Sequence, residues 1–425
     1  MATADRIDDN LSLVATPEEV DRVNGRFYSK FPYPWRAKSL DCTADEDFAR
    51  VMLNQNLGDW THQTVPRNPR IWVAGCGTNQ APLTALNFSQ GSVRGSDVSS
   101  SSLNISAAAA KGVGCTNLEL KEESINQADY REEFDFIICT GVIHHNADPE
   151  ATLLKLARAL KPAGVLELMV YNRYHRILTS AFQKAIRLLA GTEAVFDYQK
   201  EFSLTRSLID GFPGDGLMHQ FVAGFKEVPD MVIADSLMQP VENSYTVEVL
   251  EEMARRCGLE YVTPSPATSD KGSGRSRWNM HFSQSEIQKI YNALPDSRRW
   301  QIANLLLCEN SPMLWFYFKR ADSPVERKSE QQICESFLKT RFRQNAVTRR
   351  SYVLNDDDTF TPVDSATPYP GMPAKPELRR IVQATSHGAP MGRILDSLRV
   401  PRDFTTINEL RLQLATSEWP FLRAV

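Results

Sequence analysis

The chain has 425 residues, 42% of them apolar and 24% charged, with a formal net charge of −4. That length holds two or three domains with a buried core, and the charge excludes a molecule-wide surface for nucleic acid or anionic membrane. The seven cysteines (Cys42, Cys76, Cys115, Cys139, Cys257, Cys308, Cys334) show no Cys-x-x-Cys spacing and no zinc pattern, so reduced thiols in a cytoplasmic protein are expected, without a metal centre.

The first twenty residues read as mobile and polar, with no signal peptide or membrane span. From Asp21 to Arg36 the two prolines, Pro32 and Pro34, argue against a regular helix. Tyr28, Tyr33 and Trp35 either staple this arm to the body or cap a ligand. A helix is expected over 44–57, before a linker holding Pro66 and Pro69. Ile71 to Ala74 is an unbroken apolar run, as in a strand buried on both faces. Gly75 and Gly77 follow at once, and Asp97 comes twenty residues after Gly77. Strand, glycine turn and spaced acid together suit an adenosine-type ligand, the acid accepting from ribose hydroxyls.

Four serines, Ser99 to Ser102, read as an N-cap cluster for a helix ended by Gly112 and Gly114. Leu118–Lys121 and Phe134–Cys139 are expected strands. Asp148-Pro149 is a helix start, and Leu153, Leu156, Ala157 and Leu160 form its apolar stripe. Val165–Val170 is a fifth strand. A helical stretch over 177–189 and a Gly-rich turn at 211–216 belong to an insertion, 173–245, read as a lid and substrate pocket. Thr246–Cys257 (helix), Leu259–Val262 (strand), 283–308 (helical) and Met313–Phe318 (strand) follow. Lys and Arg gather between Lys319 and Arg350, as a solvated linker and a helix spanning 330–350. A hairpin around Asp356-Asp357-Asp358 and helices at 377–385, 390–398 and 406–416 complete the chain.

The glycine turn, Asp97, the run Phe134 to His144-His145-Asn146-Ala147-Asp148-Pro149, and Leu160-Lys161-Pro162-Ala163-Gly164 stand in an order that resembles class I S-adenosylmethionine-dependent methyltransferases. In particular it resembles bacterial enzymes with an Ala-Gly-Cys-Gly-Thr-Gly-Gln loop, some fused to tetratricopeptide repeats. The resemblance covers about residues 20–320 and is most specific over 70–171. It implies an α/β fold: a Rossmann-like sheet, parallel with one antiparallel strand, with a helical lid insertion and a small C-terminal α+β domain. The division is then 1–65 (N-terminal arm and helical cap), 66–320 (methyltransferase domain with the lid at 173–245) and 321–425 (accessory domain of unknown role).

The cofactor so implied is S-adenosyl-L-methionine, with Gly75, Cys76 and Gly77 at its methionine part, Asp97 at the ribose and Thr140 at its edge. Asn79 replaces the family's third glycine. Ser124 replaces an Asp that accepts from the adenine amino group, with Glu123 as a possible substitute. His145 and His144, after the fourth strand, are the general-base candidates, though such a pair is often structural in the family. Tyr28, Tyr33, Trp35, Tyr171, His219 and Tyr245 are the acceptor-side candidates, beside His175, Asp235 and Glu242 in or near the lid. The implied activity is methyl transfer to N, O or S of a small metabolite. The alternatives are a protein or carrier-tethered peptide docked by the C-terminal domain, or a regulatory module that binds the cofactor without turnover.

Overall fold

The computed structural model describes residues 16–34, 36–192, 197–266, 278–416 and 419–425. Its strands in chain order are β1 (Ser39–Thr43), β2 (Arg70–Ala74), β3 (Ser92–Asp97), β4 (Leu118–Glu122), β5 (Phe134–Thr140) and β6 (Leu160–Val170). Then come β7 (Leu259–Pro264), β8 (Leu314–Arg320), β9 (Phe342–Gln344), β10 (Arg349–Leu354), β11 (Phe360–Asp364) and β12 (Leu422–Ala424). Seven of them form one sheet in the order β4-β3-β2-β5-β6-β8-β7. Only β8 runs against its neighbours, antiparallel to both β6 and β7.

The apolar run of β2 has the burial it suggests. Ile71 and Val73 pack with Phe136 and Ile138 on one face of the sheet, and Trp72 and Ala74 with Ile137 and Cys139 on the other. The chain order reverses at β2, with β3 on one side and β5 on the other. A crevice therefore opens at the carboxyl ends of β2 and β5, where ligands bind in open parallel sheets.

Three expectations about helices are corrected. Residues Pro17–Lys30 form a regular helix despite the prolines, because Pro32 and Pro34 fall beyond its last turn. Its start is written in Thr16, Pro17 and Glu19: a proline in the first turn and a reciprocal capping box. Val20, Asn24 and Phe27 bury one face at helical spacing. The 283–308 stretch is two helices, Ser285–Ala293 and Asp296–Leu307, separated at Pro295. The basic 330–350 stretch is helical only over Glu330–Lys339, and then enters β9 and β10. Its arginines are paired across strands rather than solvated on a helix: Arg349 with Asp41 on β1, and Arg350 with Asp364 on β11.

The 173–245 insertion holds the helices Arg173–Ala190, Tyr198–Gly211, Leu217–Ala223 and Asp230–Leu237. Phe182, Ile186, Ile209, Val222 and Ile233 close their own apolar cluster around Phe27 of the N-terminal helix. Helix and insertion thus form one roof over the crevice. Residues beyond 320 build a further cluster from Ile333, Phe337, Phe342, Leu395 and Leu414 around Trp60. They reach back elsewhere too. Strand β10 pairs with β1, and the buried Gln55 side chain bonds the backbone of Ala415, Leu422 and Ala424. Arg299 bridges Asp296 and Glu330. Among the described residues no helix is long and apolar enough to cross a membrane.

Candidate functional site

The floor of the crevice is the turn after β2. Gly75 and Gly77 hold φ of +70° and +54°, in the left-handed region that side chains disfavour. A Cβ on Gly75 would lie 2.4 Å from Val142 Cγ2, and one on Gly77 2.9 Å from the Tyr33 carbonyl oxygen. The Gly75 and Cys76 amides donate to the Ser96 carbonyl (2.8 and 2.9 Å). The Gly77 and Ser99 amides donate to the two carboxylate oxygens of Asp97, each at 2.9 Å. Asp97 thereby fastens both strand-end turns, and a carboxylate has lone pairs to accept further donors. Burial pushes its carboxyl up from the ordinary value, against the lowering effect of the Ser99 and Gly77 amides.

The Cys76 side chain is buried in the core beneath the loop, so only its backbone stands at the turn. Asn79 has φ −131°; the position needs no left-handed residue, which explains the missing third glycine. Its Oδ1 accepts from the Ala37 amide at 3.2 Å. Gln80 donates to Thr140 Oγ1 at 2.8 Å, tying the next helix to the end of β5.

At the β4 end, Ser124 does meet a carboxylate, but one delivered by the N-terminal helix. Ser124 Oγ donates to Asp21 at 2.5 Å, and Asn126 Nδ2 donates to the same group at 3.1 Å. Glu123 is engaged by Lys121 and the Tyr130 hydroxyl instead. A groove of about 670 Å³ opens between this helix, Val98 and Tyr198.

The roof supplies the rest. His144 and His145 lie in a short 3₁₀ turn after β5. His145 Nδ1 is 2.8 Å from the Val241 carbonyl, and Asn24 Nδ2 donates to the His145 carbonyl at 2.8 Å. Burial pushes the His145 imidazole down to about 4. His144 is fully buried, and neither ring nitrogen has a hydrogen-bond partner among the described residues. Burial, with the charges of His145 and Arg176, holds it well below the ordinary histidine value. Its ring lies 3.9 Å from that of Tyr171, centre to centre, and the Arg176 guanidinium carbon lies 4.4 Å from the same Tyr171 ring. Arg176 is held by both Glu242 oxygens (2.6 and 2.5 Å), to which Gln183 adds a bond of 3.1 Å. Gln239 Nε2 joins the Tyr28 hydroxyl and Asp235 Oδ1, each at 3.0 Å. Burial pushes the Asp235 carboxyl up to about 7, countered by Arg176 and the Gln239 bond.

The structure thus brings Tyr28, Tyr171, His144 and His145 to one place. Tyr33 is at its outer end, 43% exposed, and Trp35 lies outside the described residues. Two candidates stand elsewhere. His219 faces the Phe212 carbonyl at 3.2 Å, within the insertion. Tyr245 is a buried member of the main core, bonded through its backbone to Tyr171 and Arg173. Sequence reasoning singled out Asp235 and Glu242 only as polar lid residues, and missed Asp21, Arg176 and Gln239. No local signal marks them: Gln239 lies beyond the end of the helix that carries Asp235. Among the described residues no three His, Cys, Asp or Glu side chains cluster in a way that could hold a metal ion.

Residues 73–166 match the model of a methyltransferase domain family. An uncharacterized protein of Synechococcus sp., syc1184_c, is 28% identical over 248 residues, which are 56% of this chain. The chain spans 57% of the length of that relative. Among solved structures, PKMT2 from Rickettsia typhi in complex with AdoHcy aligns with a TM-score of 0.54 at 14% identity, covering 82% of this chain and 68% of its own. A second structure of PKMT2 gives the same TM-score at 13% identity, over 86% and 72%. These neighbours share the fold, and the family match falls on the glycine turn, Asp97 and the strands that carry them. Residues 73–166 therefore carry the match to a methyltransferase domain, on a fold that the chain shares with PKMT2.

Proposed function

We propose that this chain transfers a methyl group from S-adenosyl-L-methionine to N, O or S of a small metabolite. The observation that carries this reading is the cradle of Gly75, Gly77 and Asp97 beneath a roof of arm and insertion. When bound, the cofactor supplies a methyl group on a sulfonium that reacts without a metal. The glycine turn lets backbone approach the methionine part, Asp97 accepts from the ribose hydroxyls, and Thr140, fixed by Gln80, borders the reacting end. Asp21, Ser124 and Asn126, bonded to one another at the end of β4, are the polar groups this reading assigns to the adenine. Alignment of the acceptor with the methyl then accounts for most of the rate, and the roof excludes water. The AdoHcy in the Rickettsia typhi neighbour supports the same cofactor. Titration calorimetry of the full chain with S-adenosylhomocysteine tests this: one site per chain is expected, and absence of binding rejects the reading.

A second reading, methylation of a protein or carrier-tethered peptide, draws on one feature of the C-terminal region. A groove of about 580 Å³ there is lined by Glu335, Leu338, Lys339, Pro390, Gly392, Arg393 and Arg402. Transfer of labelled methyl to a macromolecular fraction, lost when Arg393 and Arg402 are replaced, favours that reading over a small acceptor.

A further inference from the structure

The roof over the crevice contains a carboxylate, Asp235, that forms no ion pair among the described residues, although the charge of Arg176 acts on it. Asp235 Oδ1 accepts from Gln239, and among the described residues no donor reaches Oδ2. Arg176 is itself held by both oxygens of Glu242 and by the Ser236 carbonyl. Tyr28, Tyr33 and Tyr171 lie within electrostatic reach of Asp235, and Tyr28 is within reach of Asp97 as well. Asp235, Tyr28 and Tyr171 are all half-buried, each keeping a solvent-reachable part. His144, whose ring packs on that of Tyr171, is fully buried with neither ring nitrogen partnered among the described residues.

An ionised carboxylate set among phenol rings and short of a cation is poorly matched to an anionic or neutral ligand. It is well matched to an ammonium group, which supplies the missing charge and three donors, and whose charge is favoured near aromatic rings. We propose that the acceptor is a primary amine that enters as its ammonium, and that Asp235 binds it and takes its proton. This rests on the methyltransferase reading above. In the step, one ammonium N–H bond breaks and its proton passes to Asp235 Oδ2, freeing the nitrogen lone pair. That nitrogen then bonds the methyl carbon as the carbon–sulfur bond breaks, its electron pair remaining on sulfur. The product leaves as an N-methylammonium with S-adenosylhomocysteine, and Asp235 returns its proton to water. A carboxyl pushed up to about 7 suits that exchange at neutral pH. The charged and titratable groups facing it are Arg176, Glu242, Tyr28, Tyr33 and Tyr171.

The test is titration calorimetry on the full chain saturated with S-adenosylhomocysteine, at pH 8. The ligands are n-butylammonium, Nα-acetyl-lysine amide and a lysine-containing peptide, with n-butanol and butyrate as controls. Binding of at least one amine is expected, with n-butanol and butyrate at least about tenfold weaker, the order of a charge-assisted hydrogen bond. Asp235→Asn should lose about tenfold or more of amine affinity on the same grounds, while S-adenosylhomocysteine binds within about threefold of wild type, well short of that loss. Amine affinity of the wild type should fall from pH 8 to pH 6 as Asp235 takes a proton. Preference for the peptide assigns the amine to a polypeptide, and equal binding assigns it to a small molecule; both support an amine. The proposal is overturned if S-adenosylhomocysteine binds but none of the amines does, if n-butanol equals n-butylammonium, or if Asp235→Asn binds amine like the wild type. Failure of S-adenosylhomocysteine itself to bind rejects the methyltransferase reading instead.

Discussion

On the cofactor side of the crevice, the groups that fix the geometry are backbone amides. Gly75, Cys76, Gly77 and Ser99 all donate to Ser96 or Asp97 within 3.0 Å. On the side proposed for the acceptor they are side chains: Tyr28 from the N-terminal helix, His144 and His145 after β5, Arg176, Asp235 and Gln239 from the insertion. The first region is nearly closed, with the amides of the turn satisfied. Among the described residues, the second leaves His144 without a hydrogen-bond partner and Asp235 without an ion pair. A site made of backbone holds a ligand common to a whole family, whereas one made of converging side chains is free to differ in what it accepts. Unsatisfied groups then mark the side where specificity resides.

The sharpest way to break this contrast is to disturb the backbone half. Gly75→Ala places a Cβ against Val142 at a φ of +70°, so the turn must move. Cofactor affinity should fall by about a hundredfold or more, the scale of losing several aligned contacts. Calorimetry measures this, with near-UV dichroism confirming the fold. Affinity within about threefold of wild type, far below that scale, would show that the turn is not the rigid half.

Asp97→Ala comes next. It removes the acceptor for the Gly77 and Ser99 amides and, in the proposed site, the one for the ribose. The expected loss is about 1.5–3 kcal/mol, roughly ten- to a hundredfold in cofactor affinity. The same titration decides it, and an unchanged affinity removes Asp97 from the cofactor half.

The contrast also explains what was legible in the sequence. The cofactor half lies within one continuous run from β2 to the end of β3, so spacing alone exposes Gly75, Gly77 and Asp97. The sheet followed for the same reason, since each strand is a short apolar run bounded by local signals. The N-terminal helix is announced by Thr16, Pro17 and Glu19, while Pro32 and Pro34, which argue against a helix over 21–36, fall beyond its last turn. The strands at 342–354 were hidden behind a basic composition whose partners, Asp41 and Asp364, are distant or downstream in the chain. Asp21 could not be placed at Ser124, 103 residues away in sequence, because no local pattern encodes that meeting. The acceptor side suffers most from this, being assembled from three separate segments.

A smaller effect sharpens the acceptor side through pH. Asp235 is raised in the folded state to about 7, so its contribution to stability is complete at acid pH. That contribution is lost as pH rises from about 4, where the unfolded carboxyl ionises, to about 7. His144 and His145 are lowered; their contribution is complete above about 6.5 and is lost as pH falls toward about 4. The two opposing trends overlap between these limits. Asp235→Asn removes one of them, so the variant should match the wild type near pH 4 and exceed it by about 1–3 kcal/mol above pH 7. Urea unfolding across pH measures the gap. A gap that is constant with pH would mean that Asp235 is not held protonated by its surroundings.

The smallest expected effect concerns turnover in a His145 variant. Position alone suggested His145 as the base, since it follows the β5 turn. The structure gives its Nδ1 to the Val241 carbonyl at 2.8 Å, the contact that ties the end of the insertion to this turn. That bond leaves Nε2 as the acceptor of a neutral ring, but with the imidazole pushed down to about 4 it binds a proton too weakly to draw one from an ammonium. Its ring also stands edge-on to Tyr171, 5.3 Å between centres, as part of the packing that positions Tyr171 and His144. A positioning role predicts that His145→Gln lowers stability while turnover, at saturating cofactor and amine, stays within about threefold of wild type; loss of a working base is typically about a hundred- to ten-thousandfold. The pH profile separates the two roles further. With Asp235 as the proton acceptor, the limb near pH 7 persists in His145→Gln and disappears in the residual activity of Asp235→Asn. If the limb instead vanishes in His145→Gln, along with a hundredfold or greater loss of rate of the size a base contributes, the proton belongs to the histidine and the acceptor half must be redrawn around it.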